Sequence, residues 1–232
     1  MSKSFNKTLY QDNSFVKFYG PKSPFWKYYL RSFLDLIGIK QPVEYYRISK
    51  RIEFEYSTLV LWKENDLNVP SVLKREQERL YLEVIQGKTL DQIFNKEFDF
   101  KIFNKIFEDL NKRHQLAFDH KESRFCHVDA NLRNILYNNN KIYHLDFEMG
   151  REFESIDLWA RREISKLLIS ICNKLPKLKN KVLDSFSSIY KHDFVVNDLI
   201  ESKLQGRARD YKDGHYSLYQ LATDLKSRYY ED

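Results

Sequence analysis

Apolar residues recur along this chain with two periods, and the dominant period changes partway through. Residues 14–19 (SFVKFY) and 79–85 (RLYLEVI) are short apolar and aromatic runs of strand length. The first carries Lys17 and is ended by Gly20-Pro21. Between them Ile48, Ile52, Glu55, Leu59 and Trp62 recur at spacings of four, three, four and three residues, which predicts a helix over about 45–64. A further helix is predicted within 25–36, and Val69-Pro70 opens an extended stretch through Leu73. Beyond Gln86-Gly87 the helical period takes over. Phe100, Phe103, Phe107 and Leu110 mark one helix ending near His114; Ile164, Leu167, Leu168 and Ile171 mark another, closed by Pro176. Residues 135–137 and 141–145 interrupt the helices as short strands around Asn138-Asn139-Asn140, a turn signal. The order is strands plus one helix, then mostly helices with one hairpin. That is an α+β, two-lobe pattern, with an N-terminal lobe over 1–86 and a C-terminal lobe over 87–232.

One position breaks the apolar stripe of the 45–64 helix. Glu55 places a carboxylate among core residues, which is costly without a cation beside it. Lys17, Lys22 and Lys27 are the candidates. Elsewhere 232 residues suffice for a sizeable core, and a net charge of +6 reads as ordinary solubility or as a face for phosphate-bearing partners. The two cysteines, Cys126 and Cys172, lack paired spacing, which argues against a disulfide framework and a zinc site and fits a reducing compartment. Residues 1–13 are polar, unlike a signal peptide, and no apolar run approaches the roughly 18 residues that span a bilayer. Residues 25–39 (FWKYYLRSFLDLIGI) read as packed helix or as a peripheral contact with an anionic membrane surface. The expected location is the cytoplasm, with the inner membrane face as the peripheral alternative. Basic residues are dispersed and no RNA-binding signature occurs, which argues against a nucleic-acid partner.

The residues richest in chemistry lie in the middle. Residues 126–136 read CHVDANLRNIL, and His144-Leu145-Asp146-Phe147-Glu148 follows. Asp129, Asn134 and Asp146 each flank a short apolar strand, where polar side chains can converge. Phosphoryl transfer requires such a set: oxygen ligands for Mg²⁺ and a carboxylate to receive the proton of the acceptor hydroxyl.

His127-x-Asp129-x-x-x-x-Asn134 resembles the catalytic loop of the protein-kinase-like superfamily, and Asp146-Phe147-Glu148 stands where its D-F-G motif falls. The resemblance implies a two-lobe kinase fold using ATP and Mg²⁺. It makes Asp129 the catalytic base and Asn134 and Asp146 the metal ligands. Lys17 is similar to the lysine on the α- and β-phosphates, with Glu55 as its helix partner. Residues 82–85 resemble the hinge whose backbone, at Glu83 and Ile85, receives adenine. Arg133, inside the loop, is either a catalytic cation toward the γ-phosphate or acceptor, or the partner of a nearby acid. His127 is expected to be structural, and His114 to pack or cap.

The chain departs from the superfamily in three places. No glycine precedes Lys17, so the Gly-rich phosphate clamp is missing and a reduced hairpin around 8–13 is its expected substitute. Glu148 replaces the final glycine of D-F-G, as in kinases of small molecules. The stretch from Asp146 to the Ile156-Asp157-Leu158 helix is short, leaving little room for an activation loop. The chain therefore resembles lipopolysaccharide sugar kinases, aminoglycoside and choline phosphotransferases and RIO-like kinases, with Phe18-Tyr19 nearest the first. The implied acceptor is a hydroxyl of a sugar, glycolipid or small molecule, with a protein serine or threonine as the alternative. The rival of another class is a pseudokinase, which binds nucleotide or a partner without turnover. Residues 205–209 (QGRAR) read as a solvated turn or a basic acceptor loop.

Overall fold

A computed structural model describes residues 7–11, 14–20, 48–96, 98–148, 155–204 and 216–230. Lys22, Lys27, the expected helix within 25–36, the basic-aromatic surface at 25–39 and the 205–209 loop lie outside the described residues. Among the described residues no helix is long and apolar enough to cross a membrane. The chain divides into two compact units, Met1–Gly87 with Tyr143–Glu154, and Lys88–Ile142 with Ser155–Asp232.

In the first unit, β1 (Lys7–Gln11) and β2 (Ser14–Phe18) form an antiparallel hairpin with Gln11 opposite Ser14. Helix α1 (Ile48–Glu64) follows, then β3 (Val72–Glu76) and β4 (Arg79–Glu83). The four strands make one sheet in the order β1-β2-β4-β3. Lys17 lies opposite Leu80 in the ladder, so it shares a face with a fully buried leucine. Helix α1 turns the predicted stripe inward: Ile52, Glu55, Leu59 and Trp62 are all at most 2 % exposed. Arg51, Phe54 and Thr58 are buried beside them. Trp62 meets His144 and Phe147 edge-on, at ring distances of 5.2 and 4.7 Å. The His144 amide also donates to the carbonyl of Asn68 at 3.1 Å. These contacts hold residues 143–148 to the first unit, whereas chain order had placed them in the C-terminal lobe.

The second unit opens with β5 (Lys88–Thr89) and the one-turn α2 (Leu90–Ile93), whose Thr89 and Gln92 form a reciprocal capping box. Helix α3 (Lys101–His120) continues past the expected end near His114, because His114 is itself a core residue and the stop comes at Lys121 in the left-handed region. Phe103, Phe107 and Leu110 face the core, but Phe100 sits at the helix start and is 44 % exposed. Strands β6 (Ile135–Asn138) and β7 (Lys141–His144) form the expected hairpin, and the sheet runs β5-β6-β7. Asn139 and Asn140 both take positive φ, 46° and 62°, which suits the short turn and the tolerance of asparagine for that region. Helices α4 (Ile156–Lys174), α5 (Lys179–Ile189), α6 (Asp193–Leu204) and α7 (Leu218–Tyr229) complete the unit. Ser155 caps α4, and its Ile164, Leu167, Leu168 and Ile171 are buried as the period requires.

A polar cluster is buried between α3 and α4. Arg113 Nη1 lies 2.5 Å from Glu163 Oε1 and Arg113 Nε donates to Asp109 at 2.8 Å. His114 Nε2 lies 3.0 Å from Glu163 Oε2, and its Nδ1 lies 2.6 Å from the Tyr190 hydroxyl. Burial pushes the Glu163 carboxyl up, but Arg113 and His114 outweigh it and hold the group well below the usual carboxylate range. Burial depresses His114 despite Glu163, so the ring is neutral near pH 7 and its Nε2–H donates to Glu163 while Nδ1 accepts from Tyr190.

Both shifts destabilise the fold in acid. Below about pH 6.5 the unfolded state protonates His114 before the native state does; below about pH 4.5 it protonates Glu163 first. The unfolding midpoint in urea is therefore expected to fall from pH 7 to pH 4, with a steeper fall below 4.5. Glu163→Gln is expected to flatten that lower limb, and an unchanged limb would exclude Glu163 as its source.

Candidate active site

In the first unit the chemistry gathers on Lys17. Its Nζ donates to Glu55 Oε1 and Oε2 at 2.9 and 2.7 Å and to Asp146 Oδ1 at 2.7 Å. An ammonium has three donors, and here all are accounted for. Tyr19, two residues on and just past the end of β2, donates from its hydroxyl to Glu55 at 2.5 Å. Burial opposes the charge on Lys17, but Asp146 and Glu55 overcome it and hold the amine well above the usual lysine range. Glu55 is pushed up by burial against the pull of Lys17. Arg51, one helical turn before Glu55, lies with Nη2 2.7 Å from Glu148 Oε2 and donates from Nη1 to the carbonyl of Gly20 at 2.7 Å. Glu148 is thus a buried partner of α1, which explains an acid where a glycine was expected. Phe147 packs on Trp62, and Asp146 takes φ of 64°. That left-handed conformation suits Asp better than most residues and turns its carboxylate toward Lys17.

In the second unit the loop after the turn at Ser123–Phe125 is held by main-chain contacts. The His127 amide donates to buried Glu163 at 2.7 Å, and Arg113 Nη1 reaches the carbonyl of Phe125 at 3.4 Å. Hydrogen bonds from Ala130 N to His127 O and from Asn134 N to Asn131 O, both 3.0 Å, close the loop on itself. Asn134 Nδ2 donates to Asp129 Oδ2 at 2.9 Å and to its carbonyl at 3.1 Å. Lys166 of α4 donates from Nζ to Asp129 Oδ1. The Asp129 side chain is 16 % exposed, so it is held on both oxygens yet open to a ligand.

The structure joins Lys17, Glu55 and Asp146 in one set and Asp129 and Asn134 in another. It does not bring Arg133 to Asp129. Arg133 is 84 % exposed and its Nε lies 3.9 Å from Asp91, so it takes the nearby-acid alternative, and Lys166 is the cation on Asp129. Glu83 closes the end of β4: its amide donates to Ser71 O at 2.9 Å and its carboxylate accepts from Ser71 N at 3.1 Å. That hydrogen bond lowers the Glu83 carboxyl. Ile85 follows, half-buried, outside regular structure. Tyr19, Arg51, Glu148 and Lys166 were not assigned roles from sequence. For Arg51 a signal existed, a second charge at the start of an apolar face; for Lys166 there was none.

Three carboxylates, Glu55, Asp146 and Glu148, bring oxygens within 4.8 Å of one another. Glu55 and Glu148 are buried and engaged by Lys17 and Arg51, while the Asp146 side chain is 38 % exposed. Asp146 is therefore the oxygen that fits a hydrated Mg²⁺, which binds through one or two carboxylates and keeps several waters. In the other set Asn134 uses its Nδ2 on Asp129, which leaves the amide oxygen Oδ1 as its acceptor atom. His114, Cys126 and Glu163 also cluster, but all are buried, and burial pushes the Cys126 thiol well up, away from the thiolate that a metal requires.

The two sets hold the residue types that a kinase-like phosphotransferase site requires: a strand lysine on a helix glutamate, a D-F-E carboxylate, and an aspartate–asparagine loop. No protein-family model and no curated protein matches the chain. Solved structures similar to it include aminoglycoside phosphotransferase structures. A streptomycin–ATP complex of APH(2″)-IIa is 16 % identical with a TM-score of 0.45, covering 91 % of this chain and 85 % of that one. An ADP-bound aminoglycoside phosphotransferase APH(2″)-Ib is 14 % identical with a TM-score of 0.39, covering 98 % and 89 %. A gentamicin complex of APH(2″)-IIa is 12 % identical with a TM-score of 0.40, covering 97 % and 89 %. Likenesses at these values decide neither family nor substrate, and the chemistry rests on the residues of this chain.

Proposed function

We propose that this chain is an ATP-dependent kinase that transfers the γ-phosphoryl group to a hydroxyl of a sugar or other small molecule. The observation that carries the reading is the ammonium of Lys17, held on Glu55 and Asp146 at a fixed position in a sheet. Lys17 turns the donor that otherwise meets Asp146 to the α- and β-phosphates, while Glu55, steadied by Tyr19, keeps it in position. The backbone of Glu83 and Ile85 receives adenine. The glycine-free β1–β2 hairpin covers the phosphates, with Leu9 and Tyr10 exposed on it. Asp146 and Asn134 would hold Mg²⁺, which would supply charge neutralisation for the transfer. Asp129 orients the acceptor hydroxyl and accepts its proton. A small acceptor is preferred to a protein because only a short stretch separates Asp146 from the Ile156 start of α4.

The test is Mg²⁺-dependent ADP formation by the purified chain with a panel of sugar, aminoglycoside and protein acceptors. Lys17→Met is expected to lower kcat/KM for ATP about 100-fold, the scale of losing one preorganised charge contact to the reacting group. Nucleotide binding with no turnover on any acceptor would instead favour the pseudokinase reading, which the glycine-free hairpin motivates. Absence of nucleotide binding would reject both.

A further inference from the structure

A cavity of about 550 Å³ opens in the second unit, walled by α4, α6 and the start of α7. Its size falls within the range of small-molecule sites. Two of its lining residues tie it to the candidate catalytic loop: Val128, next to Asp129, and Lys166, whose Nζ donates to Asp129. The wall is chemically one-sided. Arg161, Arg162 and Lys166 line it together with serines and aliphatic side chains, and no carboxylate occurs among its described lining residues. The α4 sequence accounts for this. Residues 161, 162, 165, 166 and 169 recur on one flank of the helix, away from the buried Ile164, Leu168 and Ile171 flank. Arg161 is anchored, not idle: Nη1 lies 3.1 Å from Asp198, which is half exposed, and Nε donates to the carbonyl of Asp157 at 3.4 Å. A guanidinium has five donors, so one pair with Asp198 leaves others for a ligand.

We infer that this cavity is the acceptor site and takes a hydroxyl-bearing anion, a sugar or polyol that carries a phosphate or carboxylate group. The inference rests on the kinase reading for its chemistry. Apolar side chains on the wall suit the faces of a sugar ring, and the arginines suit an oxyanion, which guanidinium binds in a fork. Lys166 faces both the cavity and Asp129, so an anion on the arginines leaves a neighbouring hydroxyl beside the base. In transfer the acceptor oxygen forms a bond to the γ-phosphorus, the bond from that phosphorus to the β–γ bridging oxygen breaks, ADP leaves, and the hydroxyl proton passes to Asp129. A cationic acceptor meets like charge on the same wall.

The test compares glucose 6-phosphate, glucuronate, glucose and gentamicin as acceptors for the full chain at fixed Mg·ATP. At least one anion is expected to exceed glucose in kcat/KM by about tenfold or more, the scale of one charge-assisted contact, with gentamicin below glucose. The two anions separate a phosphate from a carboxylate ligand. Arg162→Gln is expected to raise KM for the preferred anion about tenfold with kcat changed less than about threefold, and Arg162→Lys to recover part of the loss. Equal use of glucose and both anions, or preference for gentamicin, overturns the inference while leaving the kinase reading intact. The same anions are titrated calorimetrically into the nucleotide-free chain. Binding weakened by Arg162→Gln supports the cavity even in a chain that does not turn over ATP. No binding of either anion overturns it whatever the nucleotide result.

Discussion

An Asp129→Asn chain is expected to bind Mg·ATP as the wild type does and to transfer phosphate about 1,000-fold more slowly, within the range for removal of a general base. The reasoning starts from the two oxygens of Asp129. One accepts from Lys166 Nζ and the other from Asn134 Nδ2 at 2.9 Å, so the carboxylate is oriented before any acceptor arrives. Each oxygen has a further lone pair, and the side chain is 16 % exposed, which leaves a place for the acceptor hydroxyl. Asparagine keeps the shape and removes the basicity. On the proposed reading ATP meets Lys17 and the backbone of Glu83 and Ile85, none of which is a hydrogen-bond partner of Asp129. Single-turnover rates with calorimetric ATP affinity separate the two effects. A variant whose transfer rate stays within tenfold of wild type would remove Asp129 from the chemistry.

Asp146→Asn is expected to lose about as much rate and, unlike the first variant, to need far more Mg²⁺. Asp146 sits at φ of 64°, where asparagine is as well tolerated as aspartate, so the backbone turn survives the change. What disappears is the exposed carboxylate of the Lys17 set. Glu55 still holds Lys17 through both oxygens, so the lysine stays in place. On the proposed reading, losing this anionic metal ligand would weaken charge neutralisation at the transferring group, an effect of about 4 kcal/mol, or roughly 1,000-fold in rate. Turnover measured across a Mg²⁺ titration, with Mn²⁺ binding followed by electron paramagnetic resonance, reads it directly. If the Mg²⁺ midpoint and Mn²⁺ affinity match the wild type, Asp146 is not the ligand.

Much of this site was legible because its parts are local. The loop from His127 to Asn134 closes through hydrogen bonds within itself, and the resemblance of its motif to a kinase catalytic loop had already grouped Asp129 with Asn134. The apolar stripe of α1 showed that Glu55 would be buried, and burial of a carboxylate demands a cation. Burial alone left three lysines as candidates, the resemblance pointed to Lys17, and the fold joins Glu55 to it across 38 positions of sequence. The tighter case is Arg133 against Lys166. Arg133 lies inside the loop and read equally as a catalytic cation or as the partner of a nearby acid, and its side chain is exposed near Asp91. Lys166 lies 37 residues from Asp129, and it is the cation on that carboxylate.

Glu148 shows the same division. As a string, Asp146-Phe147-Glu148 departs from its pattern at the last residue. In the fold that acid is nearly buried against Arg51, and the whole segment lies along one face of α1, with Arg51, Glu55 and Trp62 facing its members directly or through Lys17. Periods, caps and turns were readable from the chain because they depend on neighbours a few positions apart: the strand and helix alternation, the Asn139-Asn140 turn, the loop around Asp129. The choice of Arg51 for Glu148 and of Lys166 for Asp129 came from packing. A buried charge takes whichever partner the assembled elements bring within about 3 Å, and no spacing along a sequence encodes that distance.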